Sequence, residues 1–457
     1  MSEEERKLGS EPISKLLVAY AVPSIISLVV TALYNIVDQI FIGNGVGMLG
    51  NGATNVINPF NVTAISIAMF FGNGGAAFLS LRLGERRYDE ARKGIGSTLT
   101  VTAIASVIFV ILAAIFFEPI CMLFGCTENI WPYALEYGSV ILIGLPFMAV
   151  STVINSFIRA DGSPRYSMFS MLIGAILNTI LDPIFIFVFH WGVRGAAIAT
   201  IIGQIVGFVV SILYLPKFKT AKPAKSDFKP NGQALKGVCS LGVSSFISQI
   251  ALIFLIGVLN NVYVKYGALS KYGSDIPLTA LGISSKISQI VQAFVFGTAV
   301  GSQPIIGYNY GAGNYDRVKK TFLTAVSICT VMMVLFTAVF QLFPGAVVRL
   351  FGSESALYNE FAEKCLRRFM LVIVLNGFQT STFIFFQAIG KPTQSTILSM
   401  LRQIVFLMPS IFIMSSLFGI EGTLWSTPIA DTLAFFAALI CLIVQWKKIF
   451  APKEARL

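Results

Sequence analysis

"YSMFSMLIGAILNTILDPIFIFVF", residues 166–189, carries one charged side chain, Asp182, along its whole length. A helix needs about 20 predominantly apolar residues to cross the ~30 Å hydrocarbon core of a bilayer. This run has that length and that polarity, so it reads as a membrane-spanning helix. An ionised carboxylate at the centre of such a helix costs roughly 2.5–3.5 kcal/mol on insertion scales. Asp182 must therefore be offset by a partner or by a function. Asn178, one turn earlier, lies on the same helix face.

The rest of the 457-residue chain follows the same pattern. It is 55% hydrophobic and 12% charged, with a mean hydropathy of +0.78. Soluble domains carry about 25% charged residues. Twelve candidate spans fall near 15–42, 53–82, 94–117, 132–158, 166–189, 194–216, 234–264, 277–308, 320–343, 365–389, 394–417 and 422–446. No cleavable secretion signal is expected, because the first apolar run is long and lacks a small-residue cleavage site. Most of the 33 Lys and Arg fall on the amino end, on alternate loops (residues 82–93, 159–165, 217–236, 317–320, 391) and on the carboxy end. Under the positive-inside rule that side is cytoplasmic, and both termini lie there. The net charge of +11 is thus a topology signal and not a nucleic-acid footprint. The chain reads as a multi-pass plasma-membrane protein. The six cysteines are scattered, and His190 stands alone at a helix end. No Cys/His spacing fits zinc, and a lone His argues against most acid–base or triad chemistry. No Walker sequence is present to bind ATP.

The chain repeats itself. "YDEARKG" (88–94) answers "YDRVKKT" (315–321), "ADGSPRYSMFSML" (160–172) answers "AIGKPTQSTILSML" (388–401), and "WGVRGAAIAT" (191–200) answers "FGIEGTLWST" (418–427). The offset stays near 227 residues. The fold class is therefore all-α and integral to the membrane, with twelve helices in two six-helix lobes related by an internal duplication. Six is even, so both copies insert the same way and the pseudo-twofold axis runs along the membrane normal. The lobes are 1–216 and 233–457, joined by the Lys- and Pro-rich linker 217–232, "KFKTAKPAKSDFKPNG".

Polar residues inside the spans are the functional candidates. In "SIISLVVTALYNIVDQIFIG" (24–43), Ser24, Ser27, Thr31, Asn35 and Asp38 recur at steps of three or four, with Tyr34 at the border. On the fifth span Ser167, Met171, Gly174, Asn178 and Asp182 do the same, and Pro183 is expected to kink the helix. Thr200 and Gln204 share a face of the sixth span, and Ser151 and Asn155 one of the fourth. In the second copy neither the stretch around Leu259 and Asn260, which answers Asp38, nor that around Met408, which answers Asp182, carries an acid, so neither acid is duplicated. That marks a site in one lobe. The serines and Thr31 are read as interhelical glue, worth about 0.6 kcal/mol each. Asp431 stands where the first copy has Gln204 and offers a second, weaker site. Intramembrane Arg402 and its neighbours Lys286, Arg367 and Arg368 are expected to form structural pairs with Glu360, Glu363 or Asp431.

With the spans, the duplication and the motifs "VPSIISLVVTALYNIVDQIFIG", "RADGSPRYSMFSMLIGAILNTILDPIFIF", "GVRGAAIATIIGQ" and "PIIGYNYGAGNYDRVKK" in view, the chain resembles the multidrug and toxic compound extrusion (MATE) family. It is most similar to the bacterial MepA-like branch. The resemblance covers residues 12–448. It implies a transporter and not an enzyme: a secondary antiporter that exports amphipathic, often cationic drugs or toxins as H+ or Na+ enters. No cofactor is implied beyond that ion. It implies a cation-coupling site, for H+ or Na+, at Asp38, Asn178, Asp182 and Thr200. It also implies Tyr34, Asn155 and Met171 in the drug cleft, to which the polar faces add Asn35 and Gln204. The partners expected are small molecules and the bilayer, with no nucleic acid, and the chain is expected to work as a monomer. A lipid-linked oligosaccharide flippase of the same superfamily is the alternative. It would line its cavity with Arg and Lys, where the amino-lobe spans carry acids and amides.

Overall fold

A computed structural model describes residues 3–273, 275–349 and 355–450. They form helices and connecting turns, with no strand among the described residues. A short amphipathic helix, α1 (Glu3–Ser10), precedes the long apolar ones: α2 (Ile13–Gly45), α3 (Met48–Gly84) and α4 (Tyr88–Ile115). After a seven-residue α5 (Phe117–Leu123) come α6 (Trp131–Ala160), α7 (Pro164–Pro183) and α8 (Gly192–Ile212). The second half repeats this order with α9 (Gly232–Ala268), α10 (Asp275–Gly311) and α11 (Tyr315–Leu342), a short α12 (Pro344–Arg349), then α13 (Ala356–Phe369), α14 (Ile373–Ala388), α15 (Pro392–Met400) and α16 (Met408–Phe450).

Ten of these stretches are long and apolar enough to cross a membrane, and α13 with α14 forms one more, bent by 45°. The sequence places one span there, near 365–389. The tenth stretch runs 59 residues from Pro392 to Phe450, far more than one crossing needs. Gly419 breaks it with φ 61° and ψ −145°, a left-handed conformation that only glycine adopts without strain. Counting both sides of that break gives the twelve crossings expected. With an even number, both ends of the chain lie on one side, here called the basic face.

The lobes meet in their basic-face halves. There α2 lies against α10, with Ala21 packed on Gly301 and Ile25 on Gly297. A Cβ added to Gly242 of α9 would stand 2.0 Å from the Phe70 carbonyl of α3, and one on Gly84 would stand 2.1 Å from the Tyr308 carbonyl of α10. These glycines let backbones of opposite lobes touch. Amides stitch the same seam. Asn73 Nδ2 of α3 donates across it to Ser245 Oγ of α9 (3.1 Å), and Gln303 Nε2 of α10 donates back to the Asn73 carbonyl (3.3 Å). Within the carboxy lobe, buried Gln387 fixes Ser245 by donating from Nε2 to its Oγ (3.2 Å) and to the Leu241 carbonyl (2.6 Å). The apolar cluster at this level includes Leu17, Phe78 and Phe157 from the first half and Val238, Leu241 and Ile305 from the second. Towards the opposite face the helices turn exposed: Leu33, Asn35 and Ile40 on α2, Asn55 and Asn58 on α3, and Asn260 and Asn261 on α9. Asparagine side chains at membrane depth face water more readily than lipid. The side away from the basic face thus presents exposed polar side chains from helices of both lobes.

The stretch read as a linker is seated on α4 and does not hang free. Gly96 lets it approach, Thr100 Oγ1 donates to the Phe228 carbonyl (2.7 Å), and Ser97 Oγ donates to that of Lys229 (3.1 Å). Wholly buried Asp161, after α6, accepts from the backbone N–H groups of Lys219 (2.8 Å) and Thr220 (2.9 Å). At the amino end, the Leu8 carbonyl accepts from Asn309 and Arg317 of the second half, both at 3.0 Å, while Glu4 pairs with Lys219 of the connection. Helix α1 thereby ties both halves together at the basic face.

A side chain at Gly242 should force the seam apart. Overpacking of this kind costs roughly 1–3 kcal/mol, which converts to roughly a 5–150-fold shift in a two-state equilibrium. In a cysteine-free background, Gly242→Val should raise labelling of a Ser245→Cys reporter by a membrane-impermeant maleimide applied at the basic face. Labelling equal to that of the parent would show that the seam does not depend on this contact.

Candidate cation site

The site begins with the crossing of α7 and α8. Gly203 packs its Cα against the Gly174 carbonyl, which an added Cβ would meet at 2.6 Å, and Gly207 stacks over the Ser170 carbonyl. Small residues at the crossing bring two backbones into van der Waals contact. That approach carries Asn178 of α7 to Thr200 of α8. Asn178 Nδ2 donates to Thr200 Oγ1 at 3.2 Å and to Asp182 Oδ1, one turn on, at 3.1 Å. Asp182 is completely buried and Asn178 nearly so.

Asp38 of α2 completes the group. Its carboxyl and that of Asp182 lie within side-chain hydrogen-bonding reach of each other. Two ionised carboxylates are both acceptors, so nothing joins them unless a proton or a cation stands between. Three buried oxygens here have no protein partner: Asp38 Oδ1, Asp182 Oδ2 and Asn178 Oδ1. The four residues singled out at Asp38, Asn178, Asp182 and Thr200 therefore stand in one cluster. Tyr34, a turn before Asp38, is close enough to feel the charge of both acids.

Tyr137 of α6 is a neighbour that sequence reading missed. It is buried, and both acids and Tyr34 act on it electrostatically. Its only signal was a phenol inside the fourth span, well before the Ser151–Asn155 face, and nothing in its spacing linked it to α2 or α7.

Other candidates go elsewhere. Asn155 is buried in a separate cluster, where its Nδ2 donates to the Ser151 carbonyl (2.9 Å) and to Ser211 Oγ (3.0 Å). Ser170 joins that cluster at 2.6 Å from Ser211. Ser170 and Asp182 are twelve residues apart on one helix, or about 18 Å. Asn155 thus lies well below the acids, nearer the basic face. Gln204 lies over Gly144 of α6 with its Oε1 unpartnered. Met171 is half-buried and Asn35 is exposed on the part of α2 that faces away from the seam. The hydroxyls of Ser24, Ser27 and Thr31 each donate to their own helix backbone at 2.8 Å, so the polar stripe on α2 reduces to Asn35 and Asp38. Ser167 accepts from Arg159 at 3.4 Å.

Beyond Asp182 the helix does not break. Pro183 removes a backbone donor, and Ile184–Val188 winds on as a π turn. Such turns locally widen a helix and are common at functional positions. Among the described residues no three His, Cys, Asp or Glu converge as a metal cluster. Two carboxyls, an amide and a hydroxyl are hard oxygen donors, which suit a proton or an alkali cation and do not suit a soft transition metal.

Comparison with known proteins agrees with this architecture. The MatE family model matches residues 23–184 and again 243–413, one copy in each half, and the chain belongs to the MatE family. It is 29% identical over 434 residues to the multidrug export protein MepA of Staphylococcus aureus (strain MRSA252), covering 94% of this chain and 93% of that protein. It is 28% identical over 445 residues to MepA of Staphylococcus saprophyticus, covering 95% and 94%. The structure also superposes on the outward-facing conformation of a multidrug resistance MATE transporter of the MOP superfamily, with a TM-score of 0.91, 25% identity and full coverage of both chains.

The α7–α8 crossing should be intolerant of volume. Gly203→Leu is expected to lower the melting temperature of the purified protein, since overpacking a tight contact costs roughly 1–3 kcal/mol. Gly232→Leu, where an added Cβ meets nothing within 4 Å, serves as the control and should melt as the parent does.

Proposed function

We propose that the chain is a secondary active multidrug exporter that exchanges amphipathic, often cationic compounds for H+ or Na+ by alternating access. The observation that carries this reading is the set of three unpartnered buried oxygens on Asp38, Asn178 and Asp182. Each would cost free energy if left unsatisfied. A small cation arriving between the acids satisfies all three and cancels charge that neither helix can neutralise. The names of the MepA relatives support drug export as the transported cargo.

On this reading the basic face is cytoplasmic, as the excess of Lys and Arg supports, and a cleft between the lobes opens to the exterior where the exposed asparagines stand. The coupling ion is a substrate, taken from outside. Its arrival on Asp38 draws α2 towards α7, where the π turn after Pro183 gives the helix latitude to move. Binding can bias the two lobe arrangements only through a difference in affinity between them. One positive charge moving inward gains about 2.3 kcal/mol per 100 mV, enough for roughly fifty-fold accumulation of a neutral drug. In the amino lobe the buried charges at this depth are carboxyls, which gives the flippase alternative no support there.

Two measurements test the reading. Energised everted vesicles carrying the parent should accumulate ethidium, and Asp38→Asn and Asp182→Asn should each reduce uptake to that of vesicles lacking the protein. Parental rates in both variants would defeat the assignment. Separately, purified protein should gain thermal stability with Na+ or with acid, whichever ion couples. A ligand at 100 times its Kd adds about 2.7 kcal/mol. Asp182→Asn should melt at the same temperature with and without the ion.

A further inference from the structure

The carboxy lobe holds an ion pair deep within its span. Arg402 Nε donates to Asp431 Oδ1 at 2.8 Å. The pairing itself was expected from the sequence, but its geometry was not. Asp431 is sealed, its side chain 3% exposed, while that of Arg402 keeps 23%. The guanidinium has five N–H donors, and only the one on Nε is used. Nη1 and Nη2 bond to no described residue, and neither is a buried unsatisfied atom, so this edge is open to its surroundings.

That opening does not point at lipid. A π turn, Leu401–Leu407, follows α15 and keeps Arg402 in phase with buried Ser395, Ser399 and Ser410. The exposed stripe of the same helix, Ile397, Ile404 and Phe412, lies on the other side. Arg402 is ten residues from Pro392, about 15 Å along the helix, or half the ~30 Å hydrocarbon thickness. A cation here cannot reach the headgroups, so its free edge faces the interior of the carboxy lobe. At the repeat offset Arg402 replaces Ala175 and Asp431 replaces Gln204. The amino lobe thus offers acids without a base, and the carboxy lobe offers a base held from behind by an acid.

A guanidinium fixed by one edge and free along its Nη1–Nη2 fork matches a carboxylate in bidentate geometry. We propose that Arg402 receives the carboxylate of zwitterionic amphiphiles, with Asp431 as the residue that positions it. A zwitterion brings no net charge into the low-dielectric interior, unlike a free anion, and its cationic end suits the acid-bearing lobe opposite. The proposal rests on the exporter reading and narrows it to a substrate class.

The test uses two dyes of one skeleton. Rhodamine B has a free carboxylate and its ethyl ester does not, so only the first is a zwitterion. Each competes for efflux of the dication DAPI from vesicles carrying the full chain. Against the parent, rhodamine B should inhibit at lower concentration than the ester. Arg402→Lys keeps the charge but loses the fork. It should weaken inhibition by rhodamine B about tenfold and leave the ester unchanged. Asp431→Asn should weaken rhodamine B alone, by a smaller factor. The doubly neutral Arg402→Gln/Asp431→Asn leaves no uncompensated charge and should inhibit equally with both dyes. If that variant still prefers rhodamine B while exporting DAPI, the proposal fails. Should a variant lose export altogether, fluorescence anisotropy of each dye with the purified protein reads the same preference directly, and a parent that binds both dyes equally also overturns it. Loss of the exporter reading would appear differently, as DAPI efflux by the parent that Asp182→Asn does not affect.

Discussion

Two carboxyl groups stand face to face inside a helical bundle with no base beside them, and much of the amino lobe can be understood as the means of holding them there. Left alone in a bilayer, either acid would be expensive. Together they repel unless something positive lies between them. The lobe shields the pair from lipid by seating Asp182 in a fully buried position, and it fixes the pair's geometry through Asn178, which spans from Asp182 to Thr200. Glycines at 174 and 203 make this reach possible, because any side chain there would hold α7 and α8 too far apart.

The same economy of small residues shapes the seam between lobes, with a different result. Contacts such as Phe70 on Gly242 and Tyr308 on Gly84 are confined to the basic-face halves. Packing there is close, and the amide of Asn73 is bonded across it, donating to Ser245 and accepting from Gln303. The other halves carry exposed asparagines in place of glycine contacts. One end of the interface is therefore closed by shape and hydrogen bonding, while the other exposes polar side chains. A molecule built to present its acids to one side of a membrane at a time needs this asymmetry, and the helix α1 that ties Glu4 to Lys219 and Leu8 to Arg317 reinforces it.

The two copies of the duplicated unit have diverged in charge while keeping their fold. Where the amino lobe leaves oxygens unsatisfied, the carboxy lobe satisfies Asp431 with Arg402 and leaves nitrogen donors free. Both sites sit beside π turns, one after Pro183 and one over Leu401–Leu407. The carboxy lobe also pairs charge at its outer end, where Arg368 meets Glu421 at 2.8 Å and Lys364 meets Glu360 at 2.9 Å. These pairs are half-exposed and contribute little net stability. The deep pair is different because its surroundings exclude water on the acid's side.

Length and hydropathy are local properties of a chain. The twelve crossings, the duplication and the shared side of the two ends could therefore be read from residues alone, as could the oddity of acids at 38 and 182. Which polar groups meet is not local. It depends on the rotation and crossing of helices far apart in sequence. Asn155 looked like Asn178 on a helical wheel, yet it is bonded among serines some 18 Å below the acids along the bundle. Tyr137 gave no warning of its place beside them. Ser24, Ser27 and Thr31 formed a convincing stripe, but each hydroxyl turned back to its own backbone, an option that sequence periodicity does not reveal. Arg402 and Asp431 could be matched by sign, but only their placement showed that one edge of the guanidinium is bound and the other is open. Hydrophobic pattern put each helix in the membrane, and backbone contact at a few glycines determined what those helices hold between them.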